Sequence, residues 1–150
     1  MGEIKEVFIL TLYSEITNQT HMEDMEDKVY GFLLSDNVLF NLETKKLVHY
    51  EEESYQRTMS FKTASLNDTQ TRLLTCLLIN SNKNVIYKDD IMKTVWDKNG
   101  FSSSNQRLWQ TVNELRKKLS FIGLPDDFVS NIHGIGYAIS NSRIRLLLIT

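Results

Sequence analysis

Apolar positions recur along the chain with two different rhythms, and each rhythm marks a different kind of element. From Tyr30 to Phe61 they come in short runs: Phe32-Leu33-Leu34, Val38-Leu39-Phe40 with Leu42, Leu47-Val48-His49-Tyr50, and Met59-Ser60-Phe61. Turn-prone stretches separate them at Ser35-Asp36-Asn37 and Glu43-Thr44-Lys45-Lys46, so the segment predicts an antiparallel meander of three or four short strands. Beyond residue 66 the rhythm becomes helical. Leu73, Leu74, Leu77 and Leu78 follow Asn67, with Gln70 placed three residues after it as a capping-box partner, which predicts a first helix over 68–80. Asn82-Lys83-Asn84 breaks the chain. Ile91, Met92, Val95 and Trp96 then predict a second helix over 88–97, ended by Asn99-Gly100.

A third helix opens at Ser102-Ser103-Ser104, where Gln106 stands three residues after Ser103 in capping-box spacing. Leu108, Val112, Leu115 and Leu119 form one apolar stripe, and Gly123 and Pro125 stop the helix. The runs Phe128–Ile132 and Tyr137–Ile139 flank His133-Gly134-Ile135-Gly136 and read as a hairpin with a glycine-rich tip. The expected fold class is therefore α+β: an N-terminal antiparallel sheet, three helices and a C-terminal β-hairpin, in the order of a winged helix-turn-helix.

With the stripe turned to the core, a rotation of about 100° per residue puts Gln106, Gln110, Asn113 and Lys117 on the opposite face, with Arg107 and Glu114 on its flank. Gln and Asn can make two hydrogen bonds to an adenine edge, and Arg can do the same to guanine, so this face suits a major-groove reader. A surface helix with no ligand would also put polar residues there. The arrangement of helix, break, capped helix and hairpin separates the two readings.

Val95-Trp96, the run Asn113-Glu114-Leu115-Arg116-Lys117-Lys118-Leu119, and Ile132-His133-Gly134-Ile135-Gly136-Tyr137 together resemble the winged-helix effector domain of OmpR/PhoB-type response regulators. The resemblance is nearer to the ToxR/CadC-like one-component branch, since the chain has no room for a receiver domain. It implies a sequence-specific, DNA-binding transcriptional regulator of bacterial type, with no cofactor and no catalysis. Gln106, Arg107, Thr111, Asn113 and Glu114 then stand where the recognition helix faces bases and backbone, and Arg116 and Lys117 match positions that touch the backbone. His133 takes a wing position that is often Arg, and Tyr137 closes the wing. The loop Asp97–Ser102 corresponds to one that touches RNA polymerase in some relatives, with Phe101 either a contact or a core anchor. Trp109 is expected to pack against the wing. A second copy on tandem half-sites is implied as a partner, because one module with few cations supplies limited affinity. Three departures stand out: Glu114 is acidic where many relatives are basic, His133 is mostly neutral near pH 7, and Tyr87 replaces a Ser or Thr cap. Glu114, the neutral wing and the acidic N-terminal half favour a rival reading, a winged helix that pairs with another regulator and does not itself read DNA, whereas Arg107, Arg116, Lys117, Lys118 and the amide-rich face oppose it.

Charge adds one refinement. The 150 residues carry a net charge of −2. Residues 1–62 hold 6 Lys and Arg against 12 Asp and Glu, and residues 63–150 hold 11 against 7, so the cations lie with the helices and hairpin. Hydrophobic residues at 41% with a single Pro exclude disordered and collagen-like chains. Catalytic signatures fail in turn. Gly134-Ile135-Gly136 lacks a third glycine and precedes a strand, no Gly-Lys-Ser/Thr run exists, and His21, His49 and His133 are scattered. His21 and the acids at 23–27 do not define a metal shell. The lone Cys76, set among leucines, reads as core and fits a cytoplasmic protein. Three segments follow: 1–29 as an extension of open role, 30–140 as the winged-helix domain, and 141–150 as a tail. In that tail, Leu146–Ile149 reads either as a final strand or as the start of a linker or membrane segment, which would tether the domain to a membrane.

Overall fold

The fold comes from a computed structural model, which describes residues 4–8, 29–53, 58–140 and 144–149. Five strands precede the helices: β1 (Ile4–Phe8), β2 (Val29–Ser35), β3 (Val38–Asn41), β4 (Lys46–Glu53) and β5 (Thr58–Ser65). Then come α1 (Asp68–Ile79), the short β6 (Ile86–Tyr87), α2 (Lys88–Val95), a 3₁₀ turn at Asp97–Asn99, and α3 (Asn105–Phe121). The chain ends in β7 (Val129–Ile132), β8 (Gly136–Ile139) and β9 (Arg145–Ile149). The architecture is α+β, an antiparallel sheet with three helices and a C-terminal hairpin, as the apolar rhythms predict.

The larger sheet runs β1-β9-β2-β3-β4-β5, and all its pairs are antiparallel. Phe32, Leu34, Phe40 and Leu47 turn inward from it and are fully buried, and the Phe32 and Phe40 rings stack at 6.2 Å. Gly31 lies where a Cβ would meet the Phe40 carbonyl oxygen at 2.1 Å, so this strand crossing requires glycine. The order of the sheet corrects one expectation. Residues 145–149 are not a tail outside the domain: β9 lies between β1 and β2, and Leu146 and Leu147 are buried there. Part of the N-terminal extension also belongs to the sheet, through β1 paired to β9 from Ile4↔Ile149 to Phe8↔Arg145. The acidic stretch around His21 lies outside the described residues.

The helices pack on this sheet through Leu73, Leu74, Leu77, Leu78, Ile91, Val95, Leu108, Val112, Leu115 and Leu119. The α1 capping box forms as its spacing predicts: the Asn67 side chain accepts from the Gln70 amide at 2.8 Å, and Gln70 Oε1 accepts from the Asn67 amide at 3.1 Å. Tyr87 supplies no side-chain cap to α2. Cys76 is buried core, and burial pushes its thiol up to about 11. The second, three-stranded sheet, β6-β8-β7, sets the hairpin beside the helices. A Cβ on Gly136 would lie 2.2 Å from the Ile86 carbonyl oxygen, so glycine at that position lets β8 close on β6.

Candidate nucleic-acid interface

The start of α3 is set by Ser104, whose side chain accepts from the Arg107 amide at 3.1 Å. The capping pair expected from Ser103 and Gln106 does not form. Ser103 instead donates to Asp97 Oδ1 at 3.0 Å and ties the preceding loop to the 3₁₀ turn. At the other end the Gly123 amide bonds the Ser120 carbonyl and the Leu124 amide reaches back to Leu119 O, a Schellman closure with Gly123 at φ 100°. Between these ends Leu108, Val112, Leu115 and Leu119 are buried as one stripe.

The opposite face is open. Gln106, Gln110 and Lys117 are exposed, Asn113 is half-buried, and among the described residues the side chains of Gln106, Gln110 and Lys117 have no partner. Thr111 is not on this face. It is buried, and its hydroxyl donates to the Arg107 carbonyl at 2.8 Å, as a mid-helix threonine facing the core does.

The flank facing α1 carries a polar cluster around the buried Gln70 that periodicity alone does not disclose. Gln70 is 3% exposed, donates to Glu114 Oε2 at 3.3 Å and accepts from Lys118 Nζ at 2.7 Å, and Lys118 also donates to Ser65 O at 2.6 Å. Glu114 is thereby drawn toward α1. The capping-box spacing had marked Gln70 for one bond, but its contacts to α3 depend on the packing of two helices. Arg107 Nη1 donates to Ser102 O at 2.7 Å, and Arg107, Thr111 and Glu114 line a cleft of about 230 Å³ with Asn67, Thr69, Trp96 and Phe101. Phe101 is 54% exposed with the Arg72 guanidinium 5.6 Å from its ring centre, which rules out the core-anchor reading.

The other flank faces the hairpin. Arg116 Nε donates to Val129 O at 2.9 Å, Nη2 to Asn131 Oδ1 at 2.5 Å and Nη1 to Asn113 Oδ1 at 3.4 Å. Its guanidinium also lies 5.8 Å from the Tyr137 ring centre. Arg116, expected at the DNA backbone, is thus the staple between α3 and the hairpin. Tyr137 is likewise buried beneath it, where burial raises its phenol and the Arg116 charge opposes the rise. Trp109, expected to pack against the wing, is 57% exposed.

At the hairpin tip the Ile135 amide bonds Ile132 O at 2.9 Å, with His133 at φ 44° and Gly134 at φ 75°. These two consecutive positive φ angles turn the chain back within a three-residue connection, since Ile132 pairs with Gly136 across the hairpin. His is among the non-glycine residues enriched in that region, which gives His133 a conformational reason to stand at the hairpin tip.

A strand-backed three-helix unit with a capped, amide-faced third helix and a hairpin clamped to its flank is a winged helix. The family of transcriptional regulatory protein C-terminal domains matches residues 62–139, just over half of the chain, and the chain belongs to that OmpR/PhoB-type family of DNA-binding transcription regulators. Among solved structures it is similar to the DNA-binding domain of E. coli CadC, with a TM-score of 0.59 at 16% identity, covering 78% of this chain and 96% of that one. At that identity the likeness is one of fold. No curated protein matches the chain by sequence. Among the described residues no helix is long and apolar enough to cross a membrane, and no cluster of His, Cys, Asp or Glu is placed to hold a metal ion.

Proposed function

We propose that the protein regulates transcription by binding double-stranded DNA with α3 in the major groove and the β7–β8 hairpin on the adjacent backbone or minor groove. The observation that carries this is the open face of Gln106, Gln110, Asn113 and Lys117, set opposite the buried stripe and beside a hairpin held in place by Arg116. Gln106, Gln110 and Asn113 read base edges, and Lys117 meets a phosphate. Arg107 and Glu114 lie at the α1 edge of that surface. Arg107 can leave the Ser102 carbonyl for a guanine or a phosphate, and His133 presents its ring at the hairpin tip. Thr111, Arg116 and Tyr137 act from behind, by holding the helix and hairpin in register.

Two copies on tandem half-sites supply the affinity that one weakly cationic module lacks. The exposed Phe101 in the Asp97–Ser102 loop is the surface offered to RNA polymerase, and the work is binding without catalysis, carried out in the cytoplasm. The test is selection from a random duplex library at low and moderate salt. Wild type recovers a repeated half-site, Gln106→Ala shifts the recovered sequence, and Lys117→Ala weakens all sequences alike while lowering the salt slope by about one. Equal losses on selected and scrambled duplexes for both variants refute base reading by α3. A library that returns no half-site moves the weight to a winged helix that pairs with another regulator, the reading favoured by the acidic Glu114.

A further inference from the structure

We infer that Trp109 is a specificity-determining residue that reads the C5-methyl of a thymine in the bound duplex, an inference that rests on α3 lying in the major groove. Trp109 is 57% exposed on a helix whose outward face is otherwise amide and lysine. Among the described residues its ring has no aromatic or cationic neighbour, and Trp96, the other tryptophan, is buried at 2%. The position is defined by what surrounds it. Arg116 stands seven residues on, hence two turns along the same flank, and holds the hairpin by the Val129 carbonyl. Trp109 therefore occupies the hairpin side of the reading face, immediately beside Gln106 and Asn113, which lie three and four residues away.

A large apolar side chain at that place has few partners in a major groove. The base edges there offer hydrogen-bond donors and acceptors and a single apolar group, the thymine methyl. An indole is wide enough to cover it while the neighbouring amides bond the adjacent pairs. Its N–H remains a donor at the ring's far edge, so a phosphate contact is the competing role that the test must separate.

The experiment takes the duplex recovered by selection and replaces each thymine in turn by uracil, which removes the methyl and leaves the hydrogen-bonding edge unchanged. Wild type loses about fourfold in affinity at one thymine, the worth of one buried methyl. Trp109→Ala binds the thymine and uracil forms of that duplex equally, and Trp109→Phe, apolar but without the N–H, keeps the discrimination. A wild type indifferent to uracil everywhere overturns the inference, as does a uracil penalty that persists in Trp109→Ala. Both results leave base reading by Gln106 and its neighbours standing. Failure of the selection to return any half-site overturns the inference together with the reading it rests on. An unchanged melting temperature of Trp109→Ala shows that the variant is folded.

Discussion

Removing the Arg116 guanidinium tests whether this residue is a staple of the fold or a phosphate contact. The Nε bond to the Val129 carbonyl is part-buried, and a bond from a charged donor is worth about 1.5–3 kcal/mol. The arm to Asn131 is solvent-exposed and adds under about 1 kcal/mol. Contact with the Tyr137 ring contributes about 0.5 kcal/mol at this half-exposed place. Arg116→Ala should therefore cost about 2–4 kcal/mol, and at roughly 2 cal/mol/K of unfolding entropy per residue that lowers the melting temperature by about 6–12 °C. Arg116→Lys keeps the charge but not the planar fork, so it recovers less than half of the loss. Thermal unfolding followed by circular dichroism measures both. If Arg116→Lys and Arg116→Ala both melt within 2 °C of wild type, and the alanine variant loses DNA affinity that the lysine variant keeps, the staple argument is wrong and the phosphate role stands.

Two further outcomes can be checked without DNA. Leu115 is fully buried in the α3 stripe, and Leu115→Ala should destabilise by about 2–5 kcal/mol through the cavity it leaves, read from a shifted denaturation midpoint at constant m. Burial is the main cause that lifts the Cys76 thiol from 9.0 to about 11, against a hydrogen bond from Thr94 that lowers it. The unfolded chain then releases this proton first. The stabilisation is complete below pH 9 and is lost as pH rises toward 11, by about 2–3 kcal/mol, and stability should fall less steeply across that window in Cys76→Ala than in wild type.

Much of the fold is written in local pattern. The 3.6-residue stripes of α1 and α3, the Asn67–Gln70 capping box and the Gly123 stop depend on residues a few places apart, and the structure forms each of them. The cap of α3 was legible only to within a residue, because three consecutive serines are locally equivalent and the bond from Ser103 to Asp97 selects Ser104. The face of Gln106, Gln110 and Lys117 was legible for the same reason as the stripe, being its geometric opposite. Thr111 is placed at the bases by the resemblance alone; three residues after Leu108 and four before Leu115 it lies beside the buried stripe, and its hydroxyl turns back to the helix's own carbonyl.

Each element with one side to bury, the order of those elements and the amide-rich surface left outside follow from local pattern. Which distant groups meet follows from packing alone. Strand β9 enters between β1 and β2, more than a hundred residues away in sequence, because a strand with buried leucines needs paired neighbours on both edges, and backbone hydrogen bonds carry no sequence label. Gln70 and Arg116 have several polar partners within reach in an unfolded chain, and packing chose Glu114 and Lys118 for one, Val129 and Asn131 for the other. Trp109 is expected against the hairpin and stands in solvent, since the flank it shares with Arg116 is covered by the hairpin at only one of its two turns. Periodicity is a property of one helix, whereas burial on its flanks depends on where a neighbouring element ends.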